Sequence, residues 1–179
     1  MRLRAICLLT LVLGAGSALA ADADWAPFTS KEFTFSASFP AAPKSETSTV
    51  TAHIDGKDIP VAMHQFVAKG ANGALCLVVH SPYTWPIAVE AELVADRDNF
   101  VKGVNATVTA SERTSIKRGN GPALPALHFD ATGPTYKFRS LVVIDGQTVY
   151  QIAGGVPKTG GDEADLDRCV NSFVLTSGS

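Results

Sequence analysis

Four histidines, a serine beside one of them and two late cysteines are the residues of this chain whose types could do chemistry. The histidines, His53, His64, His80 and His128, fall in separate strand-like runs. If the runs ending at Val67 and beginning at Ala74 pair as a hairpin, His64 and His80 come within about one register step of each other. Sharing a face with Cys76, they would begin a metal site. Such a site also needs a third ligand and a second shell, and the sequence names neither. The competing reading is of exposed or hydrogen-bonded strand histidines. His80-Ser81 near acidic residues raises a hydrolase, but a triad is defined by geometry, not by the presence of its residue types. There is no Gly-x-Ser-x-Gly elbow, His-Glu-x-x-His pair, phosphate loop or dinucleotide glycine fingerprint. No catalytic residue, resident metal or cofactor is therefore expected.

The elements that must position these residues belong to a chain of 179 residues, 46% hydrophobic and 18% charged. That is enough for one globular domain with its own core. The formal net charge is -2, with no charge run and no basic patch. Nucleic acid and anionic membrane are accordingly poor partners. Residues 1–20 read as a secretory signal peptide. Arg2 and Arg4 form the basic start, Ala5 to Gly14 the apolar run, and Ala18-Leu19-Ala20 the small residues before a cleavage between Ala20 and Ala21. Residues 21–179 then form a single domain. It is expected in the periplasm or secreted, with no membrane span in the mature form.

Export changes the meaning of the cysteines. Cys7 lies in the leader, which leaves Cys76 and Cys169. In an oxidising compartment these are candidates for one disulfide, stapling a helix to a sheet. The other reading is two separate buried thiols acting as small core hydrophobes.

Tyr136 to Gly155 is the clearest structural signal: two β-rich runs joined at Asp145-Gly146. A two-residue loop sets Val143 against Thr148; a three-residue loop sets Val143 against Gln147. Either way apolar residues fall on both faces, so both faces should be covered. Lys137 and Arg139 are expected near a strand end, reaching water. Phe33 to Phe39 alternates at period two as a half-buried strand. Thr47 to Ile54 and Ile59 to Val67 form a hairpin about Asp55-Gly56-Lys57. Ala74 to His80 reads as a central strand, Thr107 to Ile116 as an edge strand and Leu124 to Ala131 as another strand. A helix is expected from about Thr84-Trp85-Pro86 to Gly103. Its apolar face is Val89, Leu93, Phe100, Val101 and Val104, while Glu90, Glu92, Asp96 and Asp98 point elsewhere. A last helix carries Leu166, Cys169, Val170 and Phe173 as a stripe, with Asp162, Glu163 and Asp165 in its first turn. Trp25, Tyr83 and Trp85 either line a groove or cap the core.

Several of these stretches together resemble small exported bacterial domains of the Mog1/PsbP-like class. They are Trp25-x-x-Phe28, the phenylalanine-rich strand Phe35 to Pro40, the acidic helix within residues 91–104, the hairpin from Arg139 to Gln151, and Ser172 to Leu175. The resemblance implies an α/β (α+β) fold, an antiparallel sheet flanked by helices as an α/β/α sandwich. It makes Arg139, Tyr150 and Gln151 scaffold. Plant PsbP proteins assist photosystem II and Mog1 binds a small GTPase, but neither set of binding residues can be placed here. The function expected is that of a non-catalytic accessory or binding module for an unknown protein or small-molecule partner. The rival is a small exported hydrolase or metal-binding protein using His80 with His64 or Ser81.

Overall fold

A computed structural model describes residues 25–54 and 56–176. The proposed leader, its cleavage position between Ala20 and Ala21, and Asp55 of the first hairpin turn lie outside the described residues. The elements in chain order are β1 (Ala26–Ser30), β2 (Phe35–Phe39), β3 (Lys44–Ile54), β4 (Lys57–Lys69), β5 (Leu75–Pro82), α1 (Val89–Gly103), β6 (Thr107–Lys117), β7 (Ala123–Thr132), β8 (Tyr136–Asp145), β9 (Thr148–Pro157), α2 (Ala164–Asn171) and β10 (Val174–Leu175). None of the helices described is long and apolar enough to cross a membrane.

The strands form two antiparallel sheets. One has seven strands in the order β3-β4-β5-β9-β8-β7-β6, and the other three in the order β1-β2-β10. This overturns the expected helix-flanked α/β/α sandwich: the described residues are 56% strand and 15% helix. The reason is one of coverage. Two helices of 15 and 8 residues cannot bury both faces of seven strands. A second sheet takes over much of that task. Its centre is the Phe33–Phe39 stretch, which does not join the large sheet. Phe35, Ala37 and Phe39 are buried at alternate positions of β2, facing Phe66, Val78 and Ile152 in one core cluster. α2 completes this cover with Cys169 and Val170, and Phe173 follows just beyond the helix.

The β8–β9 hairpin lies inside the large sheet, and its last five strand residues before Asp145 are buried without interruption. Both its faces are indeed covered. Its register differs from both expected ones. Asp145 pairs with Thr148 and Val143 with Tyr150, so the loop is Gly146-Gln147. Gly146 takes φ 61°, the positive value that a first loop position in such a turn requires and that glycine adopts without penalty. Asp145 is instead the last strand residue, and its carboxylate meets Arg118 at 2.5 Å.

The first helix also starts later than expected, at Val89 and without a side-chain cap. Tyr83 holds the preceding segment extended. Its N–H donates to the Gln147 carbonyl at 2.8 Å, and its ring stacks on Trp85 at 4.8 Å. α1 then lies over β7 and β8, where Leu93 is wholly buried among Leu127, Phe129, Val142 and Ile144. Its main packing is against those two strands.

Lys137 and Arg139 do more than reach water. Lys137 pairs with Glu163, while Arg139 takes Asp130 at 2.9 and 3.1 Å and Asp167 at 2.6 Å. These bonds hold α2 to β8 and β7 and raise the guanidinium pKa above its ordinary value. Asp165, expected in the first turn of the last helix, is buried. It accepts hydrogen bonds from the Trp25 indole at 3.0 Å and the Asn72 amide at 2.8 Å. Trp25 thus closes one corner of the core rather than lining a groove.

Candidate functional site: a cleft beside the first helix

Neighbouring strand residues face opposite sides of a sheet. That rule sorts the chemistry-bearing residues. His80 faces the small sheet and Ser81 faces α1, so the two cannot converge. His64 and His80 do meet. They are direct cross-strand partners between β4 and β5, with ring centroids 5.7 Å apart. They share their face with Cys76, but the Cys76 sulfur is bonded to Cys169 at 2.06 Å and cannot act as a ligand. Phe33 stacks on the His64 imidazole at 4.4 Å and lies tilted against that of His80 at 4.7 Å, and Tyr150 meets His80 edge-on at 5.2 Å. The Tyr150 hydroxyl donates to the Phe33 carbonyl at 3.1 Å, fixing the turn that carries Phe33. His64 Nδ1 lies 3.1 Å from the Thr47 hydroxyl. Burial, and then the nearby His64, lower the His80 pKa to about 4, so His80 is neutral near pH 7. His53 lies beside Asp58 on the β3–β4 ribbon and His128 beside Glu112 on β7. No group of three or more His, Cys, Asp or Glu side chains suited to a metal occurs among the described residues.

The other face holds a cleft. β4 pairs with β5 only from His64 to Lys69, whereas Lys57 to Met63 pair with β3 alone. The β3–β4 ribbon therefore overhangs the sheet on one side, and α1 stands on the other. Between them is a cleft of about 480 Å³, within the range of roughly 300–1,000 Å³ usual for small-molecule sites. Its floor is apolar: Val61, Met63, Leu77, Val79 and Val149. Gln65, Ser81 and Gln151 are set among them, and Tyr83, Asp96 and Phe100 form the wall toward α1.

The polar groups of this cleft are poorly satisfied. Asp96 Oδ2 and Gln151 Nε2 are buried and have no hydrogen-bond partner among the described residues. Buried polar groups normally find partners, and leaving one unpaired costs about 1–3 kcal/mol. Burial and the nearby Glu92 carboxylate push the Asp96 carboxyl up to about 7. The Tyr83 hydroxyl donates to Glu92 at 2.6 Å. Burial, that hydrogen bond and the two acids hold its own pKa above the usual tyrosine range. The arrangement can hold an apolar body on the floor while presenting one free acceptor and one free donor.

Sequence reasoning did not assign Asp96, Ser81 or Gln151 to this site. Asp96 was grouped with the outward acids of the helix, yet it is three residues after Leu93 and four before Phe100. That spacing puts it on the inner face. Gln151 was taken as scaffold, but it is also part of the floor. Of the three aromatics weighed as groove residues, Tyr83 is the one that lines the cleft. No protein-family model matches the chain, and a search of curated proteins finds no relative.

Proposed function

We propose that this chain is an exported, non-catalytic binding module that holds a small organic ligand in the cleft between α1 and the β3–β4 ribbon. It works in the periplasm or as a secreted protein. The observation carrying the reading is the cleft: an apolar floor joined to two half-buried side chains, Asp96 and Gln151, each with one buried polar atom that lacks a partner. Export rests on the basic-then-apolar leader with its cleavage between Ala20 and Ala21. The Cys76–Cys169 bond, which suits an oxidising compartment, adds support. Kinship with exported PsbP-related bacterial domains belongs to the same proposal. It rests on the Phe35–Pro40, Arg139–Gln151 and Ser172–Leu175 stretches and brings no partner with it.

The test uses a neutral apolar dye. Nile red should bind the mature protein saturably at one site, and Leu77→Trp, which fills the floor, should abolish binding while leaving the circular dichroism spectrum unchanged. Absence of saturable binding, or binding that Leu77→Trp leaves intact, overturns the reading. One observation favours the rival metal-binding reading, the adjacency of His64 and His80. A rise in melting temperature on zinc addition that His64→Ala removes would establish it.

A further inference from the structure

We propose that the cleft selects organic cations: small apolar molecules carrying a protonated amine, whose ammonium group pairs with the Asp96 carboxylate. This rests on the cleft being a ligand site, and it adds the chemical class of the ligand.

The argument begins with charge. Among the described residues that line the cleft, no Lys, Arg or His is present, and Asp96 is the ionisable acid. Glu92 lies one helical turn earlier and adds a second negative charge. Two basic side chains near α1 are engaged elsewhere. Arg97 pairs with Asp98 at 2.8 Å and reaches Ser111, while Arg113 pairs with Glu90 at 2.6 Å. A carboxyl group in an apolar cleft, with a like charge beside it and no counter-charge, is held in the neutral form. A cation entering the cleft would restore the ionised state and satisfy the free Oδ2. An anion would meet two acids.

Two further features favour an amine over a neutral hydroxyl compound. Tyr83 and Phe100 place aromatic rings in the wall, and such rings attract a desolvated cation through their electron-rich faces. An ammonium–carboxylate pair shielded by the apolar floor is also stronger than a neutral hydrogen bond at the same place. The free Gln151 Nε2 on the floor adds a preference for a ligand with one acceptor, such as an ether or carbonyl oxygen, on the side away from the amine.

Competition against bound Nile red tests the proposal with three probes of one shape: phenylpropylamine, phenylpropanol and phenylpropionate. Measured at a pH of about 8, the amine should displace the dye about tenfold more tightly than the alcohol, and the propionate should be weakest. Asp96→Asn should bring the amine down to the alcohol, both read as displacement constants set against that variant's own Nile red affinity. Glu92→Gln should lower the amine preference by about two- to threefold. An alcohol that binds as tightly as the amine, or an amine preference that survives Asp96→Asn, overturns the inference. Nile red binding without amine preference removes the charge selectivity and leaves the binding reading standing. Failure of the dye and of all three probes removes both.

Discussion

The two faces of the seven-stranded sheet are covered by different means. One face is sealed by a second sheet, a helix and a covalent bond. Phe28, Phe33, Phe35, Phe39, Phe66 and Phe173 interlock there edge to face and in stacks, and Cys76–Cys169 ties β5 to α2. The other face has a single helix over its β7–β8 half, and the β4–β5 half is left to the cleft. The difference teaches where a binding function can reside. Interlocked aromatics fill the middle of a face, and the space left on this side, about 330 Å³ beside Glu112, His128 and Phe173, lies at its edge. A face covered by one helix keeps a vacancy whose polar groups are not already committed. Each face also holds titratable groups out of their comfortable range, His80 on the sealed side and Asp96 with Tyr83 on the open side.

The largest effect should come from the bond that seals the closed face. It closes a sequence separation of 93 residues, and a loop of that length restricts the unfolded chain by about 4 kcal/mol. Cys76→Ala/Cys169→Ala should therefore lower the unfolding free energy in urea by about 4 kcal/mol. Alkylation of the urea-unfolded mature protein without reductant should add no mass; if it labels both cysteines, the comparison of the faces fails.

Glycines give the next largest contrast. A Cβ on Gly154 of β9 would come within 2.9 Å of the Leu166 carbonyl oxygen and 3.0 Å of its Cα. α2 approaches the sheet so closely there that only glycine fits. A Cβ on Gly103, which lines the cleft, would meet nothing within 4 Å. Gly154→Ala should cost about 3 kcal/mol through forced separation of helix and strand. Gly103→Ala should stay within about 0.5 kcal/mol of the parent, because helix propensity alone is at stake. Equal costs in thermal melts would show that the two faces are packed alike.

How far the sequence revealed this contrast can be judged residue by residue. The strand at Phe33 to Phe39 was legible from its alternation, but the sheet it joins was not. Period two reports that one face is buried and is silent about what buries it. The partners of β2 are the separate strands β1 and β10, and only the folded chain brings β10 to Ser36 and Phe35. The Leu166–Cys169–Val170 stripe placed Cys169 on the sheet side and left a bridge to Cys76 and two separate thiols both open, between which the folded chain decides for the bridge. The hairpin turn was found, but its register was missed because Asp145 remains in the strand. The cleft was legible in two residues: Tyr83, weighed as a groove aromatic, and Asp96, which has the spacing of an inward position although its charge outweighed that spacing. The remaining lining residues come from four strands and a helix, and no local pattern joins them.

The open face supplies the next prediction. Asp96 titrates at about 7 in the folded protein against 3.8 for an unperturbed aspartate. A raised carboxyl pKa means that the folded state keeps a proton the unfolded chain has released. The resulting stabilisation is complete below a pH of about 4 and is lost as pH rises through about 7. Asp96→Asn keeps the neutral shape at every pH. Its stability advantage over the parent should be near zero at a pH of about 4 and reach about 2 kcal/mol at a pH of about 8. Chemical denaturation at the two pH values measures it. A constant difference would mean that Asp96 is solvated and that the cleft is not a desolvated site.

The smallest effect comes from the sealed face and runs the other way. His80 has its pKa lowered to about 4 from 6.5, first by burial and then by the charge of His64. A depressed histidine pKa means that the unfolded chain takes up a proton the folded state refuses. The stability is complete above a pH of about 6.5 and is lost as pH falls toward about 4. The ring retains some contact with water, and screening reduces the effect to about 1 kcal/mol. His80→Phe keeps a ring against Phe33 and Tyr150 and cannot titrate. Subtracting its pH–stability profile from that of the parent should leave a slope of about 1 kcal/mol between pH values of about 4 and 6.5, with the parent relatively weaker in acid. The two groups therefore oppose each other over that window, Asp96 favouring the folded state at low pH and His80 disfavouring it. The parent should look flatter there than either variant. A His80→Phe difference profile without slope would show that the imidazole is as hydrated as in the unfolded chain, and the sealed face would then be open at its His64 end.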